Sequence, residues 1–185
     1  MKLNLGCGFN SIAGFLNVDR SPACKPNLVF NAETQPWPWE TNSIEEVVFN
    51  HSLEHMGASS DVFLGMIREL YRVCMPNARV RITVPHPRHD NFINDPTHVR
   101  AITPEMLGLF DLEKNKQWIQ GGFANSPLAV YLGVDFVLES SVVVLTPSYE
   151  QKVVCDELSN ETIRTFLAER NNVATEYRIV LSVRK

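Results

Sequence analysis

The sequence has no Cys-x-x-Cys pair; its four cysteines, Cys7, Cys24, Cys74 and Cys155, are scattered along 185 residues. That spacing argues against a zinc ribbon or a redox dithiol and fits free thiols in a reducing compartment. Positive charge is not in surplus either. Seventeen Lys and Arg face 21 Asp and Glu, for a net charge of −4, and neither half of the chain is basic. The electrostatic footprint that grips a phosphate backbone is missing, so nucleic acid is not expected as a partner. No apolar run approaches the roughly 20 residues of a membrane span. Met1-Lys2 leads directly into a strand-like run without a charged and apolar leader, so a cytoplasmic setting with no membrane partner is expected. Internal repeats and linkers are absent too. With 44% hydrophobic and 21% charged residues, the chain reads as a single globular domain over 1–185.

What is present is an alternation of short strands and helices. Lys2 to Leu5, Leu16 to Val18, Leu28 to Phe30, Ile44 to Phe49 and Val80 to Val84 read as five strands. Val62, Phe63, Met66, Ile67, Leu70, Tyr71 and Cys74 recur at helical spacing, which predicts an amphipathic helix from Ser59/Ser60 to Val73. Thr103-Pro104-Glu105 has the composition of a helix start, with an N-cap hydroxyl, proline first and an acid in the first turn. Phe136 to Leu145 and Glu176 to Val183 then flank a helix near Asn160 to Arg170. The pattern predicts a three-layer α/β fold whose sheet is mostly parallel, with an antiparallel strand at its C-terminal edge.

In such a sheet, ligands bind beyond the carboxyl ends of the strands. Gly6 and Gly8 end the first strand and let the backbone pass close to a ligand; Asp19 ends the second, where a carboxylate can accept both hydroxyls of a ribose. Ten residues separate Gly8 from Asp19, and position 10 is Asn. A dinucleotide fingerprint has a third glycine and an acid about 20 residues on. The connection is too short for a full helix, and a pyrophosphate needs that helix as its anion site. NAD is therefore disfavoured, and an adenosine without phosphates suits the turn better.

Leu3-Asn4-Leu5-Gly6-Cys7-Gly8 followed by Gly14-Phe15-Leu16-Asn17-Val18-Asp19 resembles the cofactor turn of class I S-adenosylmethionine-dependent methyltransferases, and within them the small type 11-like group. Further pieces follow in the same order: Pro36-Trp37-Pro38-Trp39, Asn42-Ser43-Ile44-Glu45-Glu46-Val47, His51-Ser52-Leu53-Glu54-His55-Met56, and Glu69-Leu70-Tyr71-Arg72-Val73 before Pro76. The resemblance spans most of residues 3–108. It implies a Rossmann-like, methyltransferase-like sheet with S-adenosyl-L-methionine as cofactor and S-adenosyl-L-homocysteine as product. Gly6, Cys7 and Gly8 would pass under the methionine part and Asp19 would hold the ribose. Asn31 and Ala32 would meet adenine, although the family usually has an Asp there. Asn50 and His51 would lie near the sulfonium. Cys7 itself reads as a small filler, since no base stands near it in sequence. Trp37 and Trp39 read as satellite core before an adenine cap, and Glu54 as a helix-start cap or a site residue.

The segment from Pro85 to Thr103 holds three of the five histidines in a polar, proline-rich stretch. Three readings compete: acceptor binding with His86 or His98 as general base, an Asx turn at Asp95-Pro96-Thr97 with a histidine packed on it, and a metal site from His86, His89, Asp90, Asp95 and His98. Metal ranks last and none is assigned. Together with His51, His86 and His98 are the catalytic candidates. The expected activity is methylation, by oxygen preference, of a small-molecule or glycan acceptor. Residues 86–125 would form the acceptor-side lid, with Gly121-Gly122-Phe123 as a hinge or an ordinary turn. An S-adenosylmethionine-binding module without catalysis and a NAD-linked oxidoreductase are the alternatives. In this family, helices ahead of the glycine turn commonly cover the cofactor; none precedes residue 3 here, which predicts weak cofactor affinity or a homodimer.

Overall fold

Leu3, Leu5, Val47, Phe49, Val80, Ile82 and Val84 fall at every second position of their strands. In a computed structural model, which describes all 185 residues, they point to one side of a seven-stranded sheet. The strands are β1 (Lys2–Leu5), β2 (Leu16–Asp19), β3 (Leu28–Val29), β4 (Ile44–Asn50), β5 (Cys74–Pro85), β6 (Phe136–Leu145) and β7 (Ala174–Val183), in the order β3-β2-β1-β4-β5-β7-β6. β1 to β5 are parallel. The antiparallel strand expected at the C-terminal edge is β7, set between β5 and the outermost β6.

Helix α1 (Ser60–Val73) forms where the apolar spacing predicts it, capped by Ser59, and buries Phe63, Met66, Ile67, Leu70 and Val73 in the core beside the sheet. The short α3 (Pro104–Leu107) starts on Thr103 Oγ1 as expected. Ahead of it lies the four-residue α2 (Asp90–Ile93), and after it come α4 (Leu112–Gly121) and α5 (Leu128–Leu132), on which the sequence pattern is silent. A buried amide joins the last two: Asn115 accepts from Ala129 N–H and donates to the Leu109 and Asp111 carbonyls. α6 (Pro147–Val154) and α7 (Asn160–Glu169) stand beyond the carboxyl end of the sheet, between β6 and β7.

The third layer of the expected three is not helical. Gly6–Phe15 and Arg20–Asn27 are too short to lay a full helix on the second face. The first folds over Asn4 and Asn17, whose amides bind the Asn10, Ile12 and Phe15 carbonyls. Further along, that face is polar and crossed by ion pairs: Lys2–Glu46 at 3.0 Å, Arg81–Glu46 at 2.8 Å and Arg79–Glu139 at 3.5 Å. Such solvated pairs stabilise weakly; their service is to keep an uncovered sheet face soluble.

Arg72 ties α1 to the loop before β4. Its guanidinium donates to Glu69 and to the Trp37 and Trp39 carbonyls, while Glu69 Oε2 accepts Trp37 N–H at 2.6 Å. Both tryptophans are core, as the satellite-core reading expects. The Arg72 hydrogen bond holds the Glu69 carboxyl below its ordinary range, helped by the Trp37 amide and opposed by burial. Because the folded pKa is depressed, this contribution is complete above the unfolded pKa and fades as pH falls through the folded one. Arg72→Ala should lower stability by about 2 kcal/mol, a figure already discounted for partial exposure, or several degrees in Tm. The Tm gap between wild type and Glu69→Gln, followed by calorimetry, should be full at neutral pH and close in acid.

Candidate functional site

The sheet order reverses between β1 and β4, and there the strand ends part to form an open cleft. Gly6 and Gly8 turn the chain at φ of +68° and +50°. Gly6 N–H and Cys7 N–H both donate to the Val18 carbonyl, clamping the turn to β2. Asp19 then fixes the far side: Oδ2 accepts Gly8 N–H at 2.9 Å and Oδ1 accepts Ser21 N–H at 2.8 Å. A carboxylate has about four lone-pair sites, so each oxygen keeps capacity for a ligand hydroxyl. Asn31 and Ala32 line the same cleft after β3. Asn31 Oδ1 caps Glu33 N–H, and the Ala32 carbonyl takes the Trp37 indole N–H.

His51 closes the cleft from β4. It holds a left-handed φ of +49°, a conformation uncommon outside glycine. Its Nε2 meets Glu176 Oε2 at 3.1 Å, and its Nδ1 stands 3.7 Å from Glu54 Oε1. The Glu54 carboxylate, with Glu176 behind it, raises the imidazole above its ordinary pKa against partial burial.

Of the residues expected at the cofactor, Gly6, Gly8, Asp19, Asn31, Ala32 and His51 therefore meet in one cleft. Two do not. The Cys7 side chain is buried beneath the turn with Sγ against the Gly8 carbonyl, and burial, then Asp19, pushes its thiol pKa up. Asn50 has the strand parity of Val48 and turns to the second sheet face, away from the cleft. Other residues fill in around them: Ser52 and Met56 under the turn, Glu33 and Phe30 at the β3 end, and His55 at the start of the next connection. Only the His51–Met56 run signalled any of these in advance.

The histidine segment divides. His86 is 6% exposed, its ring tilted against that of Tyr177, with Nδ1 accepting Arg88 N–H. Burial, with Arg88 and His89 nearby, lowers its pKa, and it lies outside the cleft, which removes it as a base. Asp95-Pro96-Thr97 forms the Asx turn: Asp95 Oδ1 accepts Thr97 N–H and O–H at 2.8 and 2.6 Å. His98 packs on that turn and on the Phe92 ring. Residues 102–121 are not a lid, because Ile102, Leu107 and Phe110 are core side chains. Gly122 is the left-handed cap of α4, the ordinary-turn reading of Gly121-Gly122-Phe123. Glu54 caps nothing with its carboxylate; instead its backbone carbonyl accepts Val99 and Arg100 N–H, stitching the turn to the end of β4.

Neither a protein-family model nor a curated protein sequence matches the chain. Solved structures do. A SAM-dependent methyltransferase from Archaeoglobus fulgidus superposes with a TM-score of 0.59 at 18% identity, covering 98% of this chain and 85% of that one. A second, from Methanosarcina mazei, has a TM-score of 0.53 at 13% identity, covering 99% and 92%. The [4+2]-cyclase SpnF also matches, at 0.54 and 12%, covering 99% of this chain and 75% of that one. The architecture is thus the Rossmann-like methyltransferase fold. At these identities the likeness is one of fold, and fold does not by itself assign chemistry. No helix is long and apolar enough to cross a membrane.

Proposed function

We propose that this chain is a class I S-adenosylmethionine-dependent methyltransferase acting on an oxygen of a small-molecule or glycan acceptor. The observation that carries the reading is the Asp19 carboxylate at the end of β2, bonded across the cleft mouth to the glycine turn of β1. That arrangement suits a ribose diol on Asp19 with the amino-acid tail over Gly6 and Gly8. No helix follows the turn before β2, so the anion site that a NAD pyrophosphate requires is lacking. The acceptor oxygen attacks the methyl carbon in line with the C–S bond. That bond breaks, its electron pair stays on sulfur, and neutral S-adenosylhomocysteine leaves. The acceptor's proton passes to His51, whose Nδ1 has no hydrogen-bond partner and whose elevated pKa suits a base near neutrality. Residues 86–100 form the acceptor side, and the open cleft suits cover from a second copy of the chain.

Thermal shift separates the cofactors. S-adenosylhomocysteine at 100 times its Kd should add about 2.7 kcal/mol of stability, and NAD nothing; the reverse result sinks the proposal. Turnover separates enzyme from binding module. With labelled methyl donor and a panel of alcohols, sugars and amines, His51→Asn, chosen because Asn tolerates the left-handed backbone, should lose about 10²–10⁴-fold in kcat. Its nucleoside Kd should rise far less than its kcat falls. Nucleoside binding without turnover on any acceptor favours the non-catalytic module.

A further inference from the structure

Glu54 is the most deeply buried carboxylate in the chain, 1% exposed, yet its Oε2 has no hydrogen-bond partner. A buried charged oxygen left unpaired is strongly unfavourable and asks for a cation. The nearest protein cation is His51, 3.7 Å from the other oxygen. Arg100 follows the turn above and makes no ion pair with Glu54: one Nη–H goes to the Gly57 carbonyl at 2.8 Å, the guanidinium lies on the face of Phe63, and its Nε is itself buried without a partner.

Two imidazoles stand over Glu54, and their tautomers can be deduced. The Phe92 carbonyl can only accept, so His98 Nδ1, 2.9 Å away, is the donor. The Thr97 hydroxyl gives its proton to Asp95, so at 2.9 Å it accepts from His55 Nδ1. Both histidines therefore carry a proton on Nδ1, which leaves Nε2 as the atom each can offer a ligand; that of His98 also stands 3.8 Å from Asp95 Oδ2. One ligand atom from each of Glu54, His55 and His98 lies within 4.8 Å of the others.

We propose that Glu54, His55 and His98 bind one divalent first-row transition-metal ion of the zinc type. Two imidazole nitrogens and a carboxylate are a donor set such ions favour, and a three-ligand site keeps a position open. Fixing the Nδ1 protons on a carbonyl and on a carboxylate-held hydroxyl is the outer-shell support that imidazole ligands require. The metal reading ranked last from sequence drew on His86, His89, Asp90, Asp95 and His98, and of those five only His98 belongs to this cluster. His55 also lines the cleft, so the cluster adjoins it. On the methyltransferase reading, on which this last step alone rests, the ion would take the acceptor's hydroxyl oxygen and ease loss of its proton to His51.

Chelator-treated protein, titrated with Zn²⁺ by calorimetry and with Co²⁺ by visible absorption, should take one equivalent per chain. His55→Ala and His98→Ala should each weaken Zn²⁺ at least about tenfold, and Thr97→Val, which frees the His55 Nδ1 proton, by about as much. Glu54→Gln should abolish the Zn²⁺-induced rise in Tm while being no less stable than wild type without metal, since it removes the unpaired charge. Circular dichroism of the metal-free variants confirms that each is folded. Zn²⁺ affinity within roughly threefold of wild type in both histidine variants, or no Co²⁺ spectrum in wild type, overturns the inference. S-adenosylhomocysteine binding measured on the same wild-type samples reports separately on the methyltransferase reading.

Discussion

Asp19→Ala is expected to weaken S-adenosylhomocysteine binding by about 100-fold or more. The ribose diol would lose two hydrogen bonds to a charged acceptor, each contributing about 1.5–3 kcal/mol, and every 1.4 kcal/mol is tenfold in Kd. A second effect has the same direction. Asp19 accepts Gly8 N–H and Ser21 N–H, so its loss loosens the glycine turn that the amino-acid tail lies on. Asp19→Asn separates the two contributions, because an amide oxygen still accepts one bond without charge; a loss of about tenfold is expected there. Isothermal titration checks both, with Tm measured alongside, since the two released amides lie at a partly solvated mouth and should cost only about 1 kcal/mol. An Asp19→Ala Kd close to wild type would remove the residue from the ligand and with it the orientation proposed for the cofactor.

The parts of this molecule that are local in sequence were legible in it. The apolar spacing of Val62 to Val73 fixed helix α1, and Gly6, Gly8 and Asp19 fell at strand ends where an α/β sheet puts its ligand. Asn50 was misplaced although strand alternation already sets it two residues beyond Val48, on the face opposite Phe49. His86 and His98 looked equivalent in composition, and what parts them is tertiary. β7 delivers Tyr177 onto His86, whereas the Asx turn brings His98 toward His55. The Glu54 cluster was illegible for the same reason. Glu54 and His98 are joined only because the Glu54 carbonyl captures Val99 and Arg100, and no periodicity records a bond between segments so far apart. The thin third layer was half legible. The short connection after Gly8 tells against a pyrophosphate at the cofactor, and the same shortness exposes the sheet face that carries Lys2, Glu46, Arg79 and Arg81.

Alanine at the two glycines of the turn should produce opposite phenotypes. At Gly6 the backbone is left-handed, φ +68°, and an added Cβ would stand 2.5 Å from Ser52 Cβ and 2.9 Å from Met56 Cε. Met56 can swing aside. Ser52 cannot, because it is buried with its hydroxyl donating to the Leu5 carbonyl at 2.8 Å. Left-handed strain of about 1–2 kcal/mol joins an overpacking cost of about 1–3 kcal/mol. Gly6→Ala should therefore lose roughly 10 °C in Tm at 2–4 °C per kcal/mol. At Gly8, φ is +50° and a Cβ would meet nothing within 4 Å. Gly8→Ala should pay only the backbone strain, a few degrees in Tm. The space its Cβ enters lies at the cleft, however, and is space the cofactor's tail needs, so nucleoside binding should fall by about tenfold or more. Calorimetry and titration on the pair, read together, distinguish a turn kept for packing at Gly6 from one kept for the ligand at Gly8. A Gly8→Ala protein that binds S-adenosylhomocysteine as wild type does would mean that the tail does not cross this turn.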